Sequence, residues 1–204
     1  MARMGRGRRG KRACLAIGLT FLWLAGSGLI ARSAAANGRV GREPAVKLAY
    51  LFNLIRFAHW PEEDVFGGRQ GGPDGFVLGI VGDDPFGPLL RNLEGRTVHG
   101  LPLRIVRVRT PEQLKRCRAV FIASSEWPRL GAVLRVLQGQ PVLTFGDVRG
   151  FVDRGGMVGF LRERDRIRFE INLDALRRAG LRMSSEVLRL AVRVLGAPEG
   201  EARR

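Results

Sequence analysis

Two adjacent carboxylates, Asp83 and Asp84, follow an apolar run in the stretch VGDDPFG and are the first residues whose types and spacing suggest chemistry. Paired acids at a strand end can hold Mg²⁺ for phosphoryl transfer, but that chemistry also needs a later phosphoacceptor acid and a lysine. The next apolar strand, AVFIA, ends in two serines, and Lys115 precedes that strand instead of following it. The pattern therefore favours the structural alternative, in which Asp83 or Asp84 caps a helix with Pro85 in its first turn.

Other catalytic templates lack essential parts. The chain has only two histidines, His59 and His99, so no histidine cluster can hold zinc. It also lacks the G-x-S-x-G elbow of hydrolases, and no glycine-rich dinucleotide fingerprint follows the first strand. The sequence accordingly predicts a protein that is not an enzyme and uses no metal or cofactor.

The amino terminus has the three parts of a secretory signal peptide. Residues 1–12 carry six positive charges, residues 13–31 carry none, and Ala34 and Ala36 form a small-residue cleavage site. A competing interpretation is an uncleaved membrane anchor, because nineteen apolar residues are just long enough to span a bilayer. We predict that residues 1–36 are a signal peptide and that residues 37–204 form one exported, periplasmic domain.

The formal net charge of +16 raises the question of nucleic-acid binding. Removal of the seven basic residues that precede Asn37 leaves 28 basic and 19 acidic residues, a net charge of +9. The remaining arginines are spread along the chain and do not alternate with aromatic residues. The sequence therefore predicts no nucleic-acid partner.

Cys117 is the only cysteine downstream of the predicted signal peptide. One cysteine cannot close an internal disulfide, so it is either a buried thiol or half of a bridge between subunits. Its position at the entrance to the apolar strand AVFIA favours burial.

Strand and helix patterns alternate through most of the predicted domain. Residues 44–60 are expected to form an amphipathic helix. Its apolar face runs through Val46, Leu54, Phe57 and Trp60 and is broadened by Leu51 and Ile55. Three strand–helix–strand units follow, and then two alternating runs that form a hairpin around residues 164–166. These elements predict a single layered α/β domain with a mostly parallel sheet, a C-terminal antiparallel hairpin and helices on both faces.

Two groups of side chains are candidates for contact with a partner. Phe57, Trp60 and Phe66 form an aromatic patch if they are exposed, although such residues more often anchor a helix on its sheet. On the wet face of the hairpin the side chains that alternate with the apolar ones are those of Arg168, Glu170 and Asn172.

Several separated segments together resemble the YfiR family of periplasmic proteins across nearly the whole predicted domain. They are VKLAYLFNLIRFAHWP, then VLGIVGDDPFG, then GGMVGFLRERDRIRFEINLDALRRAGLRMSSEVLRLA, in that order. The resemblance implies a compact α/β domain, often dimeric, without catalytic activity. Its best-understood members bind the periplasmic portion of an inner-membrane diguanylate cyclase and hold it inactive. An outer-membrane lipoprotein releases that restraint, which raises cyclic di-GMP and promotes biofilm formation.

Cys117 resembles a family position that commonly takes part in a disulfide, but the predicted domain has no second cysteine.

The sequence and the resemblance leave two hypotheses for the function. The first is a regulator of a membrane signalling protein, either a diguanylate cyclase or a sensor kinase. The second is a sensory or solute-binding module with a small ligand near Asp83, Asp84 and Ser124, in the crevice beyond the strand ends.

Overall fold

The computed structural model describes residues 42–61 and 75–197. The strands of this part are β1 (Ala58–His59), β2 (Phe76–Val81), β3 (Thr97–Val98), β4 (Leu101–Val108), β5 (Ala119–Ile122), β6 (Leu143–Gly146), β7 (Val158–Glu163), β8 (Arg166–Asn172), β9 (Arg182–Met183) and β10 (Arg193–Leu195). The helices are α1 (Arg42–Phe57), α2 (Pro111–Lys115), α3 (Leu130–Val136), α4 (Leu173–Arg178) and α5 (Ser185–Leu190), with two 3₁₀ helices, η1 (Gly87–Asn92) and η2 (Ser124–Arg129).

Eight strands form one mixed sheet in the order β10-β8-β7-β6-β5-β2-β4-β3. The four pairings from β7 to β4 are all parallel, as expected for strands joined by helical crossovers. β7 and β8 are antiparallel, and the turn between them places Arg164 and Asp165 at φ of 45° and 63°. The predicted fold class is confirmed: the domain is α/β with a mostly parallel sheet and a C-terminal antiparallel hairpin.

The sheet is covered on both faces because its central strands are apolar on both sides. One face packs against α1 and α4 in a core that includes Leu51, Ile55 and Leu176. The other face packs against α2 and α3 in a second core that includes Leu114 and Leu130. Helices thus lie on both faces of the sheet, as predicted.

The first helix ends earlier than its pattern predicts. α1 stops at Phe57, and the next two residues form β1, which pairs antiparallel with β9. The prediction that residues 58–60 continue the helix is wrong because β9, more than 120 positions later in the chain, supplies backbone partners.

The predicted signal peptide, residues 1–36, and Phe66 lie outside the described residues, so both remain predictions. Among residues 42–61 and 75–197, no helix has the length and apolar character needed to cross a membrane.

Candidate functional site

Asp84 lies at the carboxyl end of β2 and is occupied by structural contacts. Its Oδ1 accepts hydrogen bonds from the backbone N–H groups of Phe86 at 2.8 Å and Gly87 at 3.1 Å. Its Oδ2 accepts a hydrogen bond from Arg107 at 2.8 Å, and only 4% of its side chain is exposed. The carboxylate thus holds the turn before η1, but the expected helix cap is wrong because the N-cap residue is Phe86. Pro88, and not Pro85 as expected, takes the first turn of that helix.

The crevice expected beyond the strand ends is closed at its centre. β2 is flanked by β4 on one side and β5 on the other, so the loops after β2 and β5 meet at the point where such folds bind ligands. The Oγ of Ser125 accepts a hydrogen bond from the N–H of Asp83 at 2.9 Å. A methyl group on Gly82 would lie 2.7 Å from Cγ of Glu126. The two loops therefore contact each other at this point, and Ser124 is exposed beside them.

A charged cluster at the carboxyl end of β6 ties the start of α1 to the sheet. Lys47 Nζ lies 3.0 Å from Asp147 and 2.9 Å from Glu43. Burial acts to lower the pKa of Lys47, but its hydrogen bonds to the two carboxylates outweigh burial and raise that pKa. Lys47 therefore stays protonated at neutral pH and cannot act as a base or nucleophile. In the described part of the chain no three His, Cys, Asp or Glu side chains group closely enough to hold a metal ion.

Trp60 is buried, so its expected place in an exposed aromatic patch is wrong. Only 6% of the residue is accessible, and its ring meets those of Phe76 and His99 edge-on, with centroids 5.3 and 5.4 Å apart. Its indole N–H donates a hydrogen bond to the carbonyl of Pro141 at 2.8 Å. The alternative reading, in which Trp60 anchors the end of the helix, is the one that the structure shows.

The solvent-facing side of α1 carries two large apolar side chains and no acidic one. We call this side the α1 outer face, and its exposed residues are Arg42, Ala45, Val46, Ala49, Asn53, Arg56 and Phe57. Val46 is 40% exposed and Phe57 is 41% exposed, which is high for large apolar side chains. Small residues between them allow another backbone to approach closely.

The sequence pattern made the apolar face of α1 too broad. Leu51, Leu54 and Ile55 are buried as expected. Val46 and Phe57, which were expected on the same face, are exposed. The denser aliphatic stripe could have narrowed the face, because Asn53 lies on the exposed side.

The hairpin residues divide into three environments. Arg168 is exposed. Glu170 is half-buried and is paired with Arg193, which also forms two hydrogen bonds to Asp153 at 2.8 and 2.9 Å. The hydrogen bond from Arg193 lowers the pKa of Asp153. Through these contacts, β10 and the loop before β7 are both attached to β8.

Asn172 is buried, so its expected place on a wet recognition surface is wrong. Its Oδ1 accepts a hydrogen bond from the N–H of Ala175 at 2.9 Å, which makes it the N-cap of α4. Its Nδ2 donates to the carbonyl of Val152, also at 2.9 Å. Asn172 is therefore an internal link between the hairpin, α4 and the loop before β7.

Cys117 is fully buried, with 0% exposure. Its thiol donates a hydrogen bond to the carbonyl of Gln113 at 3.2 Å, and burial raises its pKa to about 12. A thiol in this position has no surface from which to form a disulfide with a second subunit.

In a comparison with known protein families, residues 44–192 match the family described as YfiR/HmsC-like. Two solved structures are similar at low identity. An ABC domain from Streptococcus pneumoniae in complex with L-Trp is 11% identical over 61% of this chain, with a TM-score of 0.44. A conserved domain protein from Vibrio cholerae O1 biovar El Tor is 11% identical over 65% of this chain, with a TM-score of 0.42. The matches cover 56% and 57% of those two chains.

Proposed function

Because the chain belongs to the YfiR/HmsC-like family over residues 44–192, we propose that it is a non-enzymatic periplasmic regulator that restrains an inner-membrane signalling protein. The partner we infer is the periplasmic portion of a diguanylate cyclase, so that the protein controls cyclic di-GMP and biofilm formation. The family match is the observation that carries this proposal. Release of the restraint by an outer-membrane lipoprotein, and assembly as a homodimer, are further parts of it.

The surface we assign to the membrane partner is the α1 outer face. It presents two large apolar side chains, Val46 and Phe57, on a regular and well-anchored helix. A few residues contribute most of the binding energy of typical protein interfaces, and aromatic side chains, Phe among them, are enriched at such interfaces. The helix is held from beneath by its buried aliphatic stripe and at its start by Lys47, so this surface is formed before the partner arrives.

Restraint of this kind is a shift in the population of the partner. If the free cyclase has equal active and inactive populations, a regulator that binds the inactive state about 100-fold more tightly leaves roughly 1% active at saturation. That ratio corresponds to about 2.7 kcal/mol of differential binding. Burial of the exposed two fifths of Phe57, on the order of 80 Å², supplies roughly 2 kcal/mol. Loss of this one contact would then raise the active fraction to about a quarter, if the contact is made only with the inactive state.

The experiment measures cytoplasmic cyclic di-GMP in a strain deleted for the gene. The strain is complemented with the full chain, with residues 37–204 lacking the export segment, with Phe57→Glu or with Val106→Glu. Val106 is a matched control because it is an apolar residue with 38% exposure on β4. It alternates with Leu103 and Ile105, which pack on the α1 side, so it lies on the opposite face of the sheet.

We expect deletion to raise cyclic di-GMP and only the exported wild-type and Val106→Glu proteins to lower it again. The amount of each variant in the periplasm is measured by immunoblot, so that poor folding is separated from lost contact. If Phe57→Glu restrains the cyclase as well as wild type does, the α1 outer face is not the contact surface. If deletion leaves cyclic di-GMP unchanged, the cyclase proposal is wrong, and a sensor kinase or a small ligand becomes the target of the search.

A further inference from the structure

A cleft of about 220 Å³ opens at the edge of the sheet opposite to the closed crevice, at the amino ends of β6 and β7. Thr144 and Met157 line it from the sheet, and apolar walls come from Leu134 of α3 and Ala175 of α4. The hydroxyl of Thr144 is already engaged, because it accepts a hydrogen bond from the N–H of Met157 at 3.0 Å. The floor of the cleft is therefore formed by Thr144 and Met157, which are hydrogen-bonded to each other.

Three arginines, Arg135, Arg154 and Arg178, line this cleft, and no acidic residue does. Within residues 42–61 and 75–197, none of the three guanidinium groups is ion-paired with an acid. Arg135 uses its Nε to bond the carbonyl of Gly131 at 3.2 Å, which leaves its terminal nitrogens available. All three residues are exposed, so solvent and salt weaken the repulsion among their charges, and an anion between them would remove it.

Arg154 is held in place without losing its hydrogen-bonding capacity. The carbon of its guanidinium group lies 3.9 Å from the centre of the Trp127 ring, in cation–π contact. Stacking engages the flat face of the group and leaves the N–H donors at its edge free for a carboxylate or phosphate. A donor fixed in this way pays less conformational entropy when it binds a ligand.

Helix ends explain only part of this arrangement. Arg135 and Arg178 lie in the last turns of α3 and α4, where a positive charge is mildly stabilising. That effect does not apply to Arg154, which lies in the loop before β7, and it does not account for a cleft without acids. The position of Arg154 beside the other two arginines is therefore not explained by helix ends.

We propose that this cleft binds a small anion of the carboxylate or phosphate class, held by the guanidinium groups of Arg135, Arg154 and Arg178. Guanidinium groups bind both anions through paired, charge-assisted hydrogen bonds. The apolar walls accept a short carbon skeleton. The volume of about 220 Å³ is below that of common ligand sites, which favours a small anion. The proposal does not depend on the identity of the membrane partner.

The test is isothermal titration of the purified protein with inorganic phosphate and, separately, with citrate, at an ionic strength kept constant with sodium chloride. Arg154→Gln and Arg178→Gln are compared with Arg104→Gln, which removes an exposed arginine from β4, several strands away from the cleft. Trp127 fluorescence is a second readout, because an anion that draws on Arg154 changes the surroundings of that ring.

We expect at least one of the two anions to bind, and each cleft variant to weaken that binding by about tenfold to a hundredfold. Arg104→Gln should change it by less than about twofold. Stronger binding of citrate than of phosphate would assign the site to organic carboxylates, and the reverse order to phosphate. The proposal is overturned if neither anion binds above the chloride background, or if all three variants weaken binding equally. Urea unfolding of each variant shows that it is folded.

Discussion

Replacement of Trp60 by Phe tests whether this residue is a buried anchor or part of a binding surface. The substitution removes the indole N–H, whose hydrogen bond to the carbonyl of the half-buried Pro141 is worth about 1 kcal/mol net. It also removes three ring atoms from a site that is only 6% exposed. At about 0.8 kcal/mol for each buried carbon, with a small cavity left behind, this loss adds roughly 2 kcal/mol.

We therefore expect Trp60→Phe to lower the free energy of unfolding by about 3 kcal/mol. For a protein of this size that corresponds to a melting temperature lower by roughly 6–12 °C. The measurement is urea unfolding followed by far-UV circular dichroism, because the substitution itself changes the tryptophan fluorescence. The matched control is Phe57→Leu, which alters a side chain that is 41% exposed and should change stability by less than about 0.5 kcal/mol.

The reasoning is refuted if the free energy of unfolding of Trp60→Phe lies within about 1 kcal/mol of wild type, since loss of a buried and hydrogen-bonded indole should cost more than that. It is equally refuted if Phe57→Leu is destabilised as much as Trp60→Phe, because Phe57 would then belong to the core. The two variants also separate function from folding. Phe57 variants should lose restraint at full protein level, whereas Trp60→Phe should lose restraint only as far as folded protein is lost.

Two further predictions concern Cys117. The first uses a Cys14→Ser background, in which the folded protein should not react with a thiol reagent at pH 8. The protein unfolded in urea should react at once. Rapid reaction of the folded state would contradict burial of the Cys117 thiol. Because burial raises the pKa of Cys117 from 9.0 to about 12, its contribution to stability is complete below pH 9 and is lost between pH 9 and 12 as the unfolded state ionises; Cys117→Ala should flatten this part of the stability curve, and an unchanged slope would argue against it. A third prediction is that Gly79→Ala costs about 1–3 kcal/mol in urea unfolding, because its new methyl group would lie 2.7 Å from both Cys117 Sγ and Val108 Cγ2. Gly131→Ala in α3 meets open space and should be neutral or slightly stabilising, and a larger cost there than at position 79 would overturn the packing argument.

Much of the fold could be read from local pattern. Apolar runs such as β2 and β5 are buried on both sides, and only a covered parallel sheet accommodates them. The helix start at Thr110 was also readable, because its hydroxyl and the side chain of Gln113 form a complete capping box. These features depend on residues a few positions apart, so they need no knowledge of the rest of the chain.

The candidate sites were less predictable because exposure depends on distant partners. Asn172 looks like a surface residue in a local pattern, but Val152, 20 positions away, accepts its hydrogen bond. The pattern also left open whether Trp60 is an anchor or part of a patch, because its partner Pro141 is 81 positions away. The cleft of three arginines gave no local signal at all, since its side chains come from α3, α4 and the loop before β7.

The class of the fold, the order of most elements, the single cysteine downstream of residue 36 and the family of the chain all follow from the sequence. These properties depend on periodicity, local turn chemistry and the order of separated motifs. Three-dimensional packing was needed to show that Ser125 and Glu126 contact the loop at Asp83 and that three arginines line one cleft. Contacts of this kind join segments far apart in the chain, so they depend on packing and not on a local pattern.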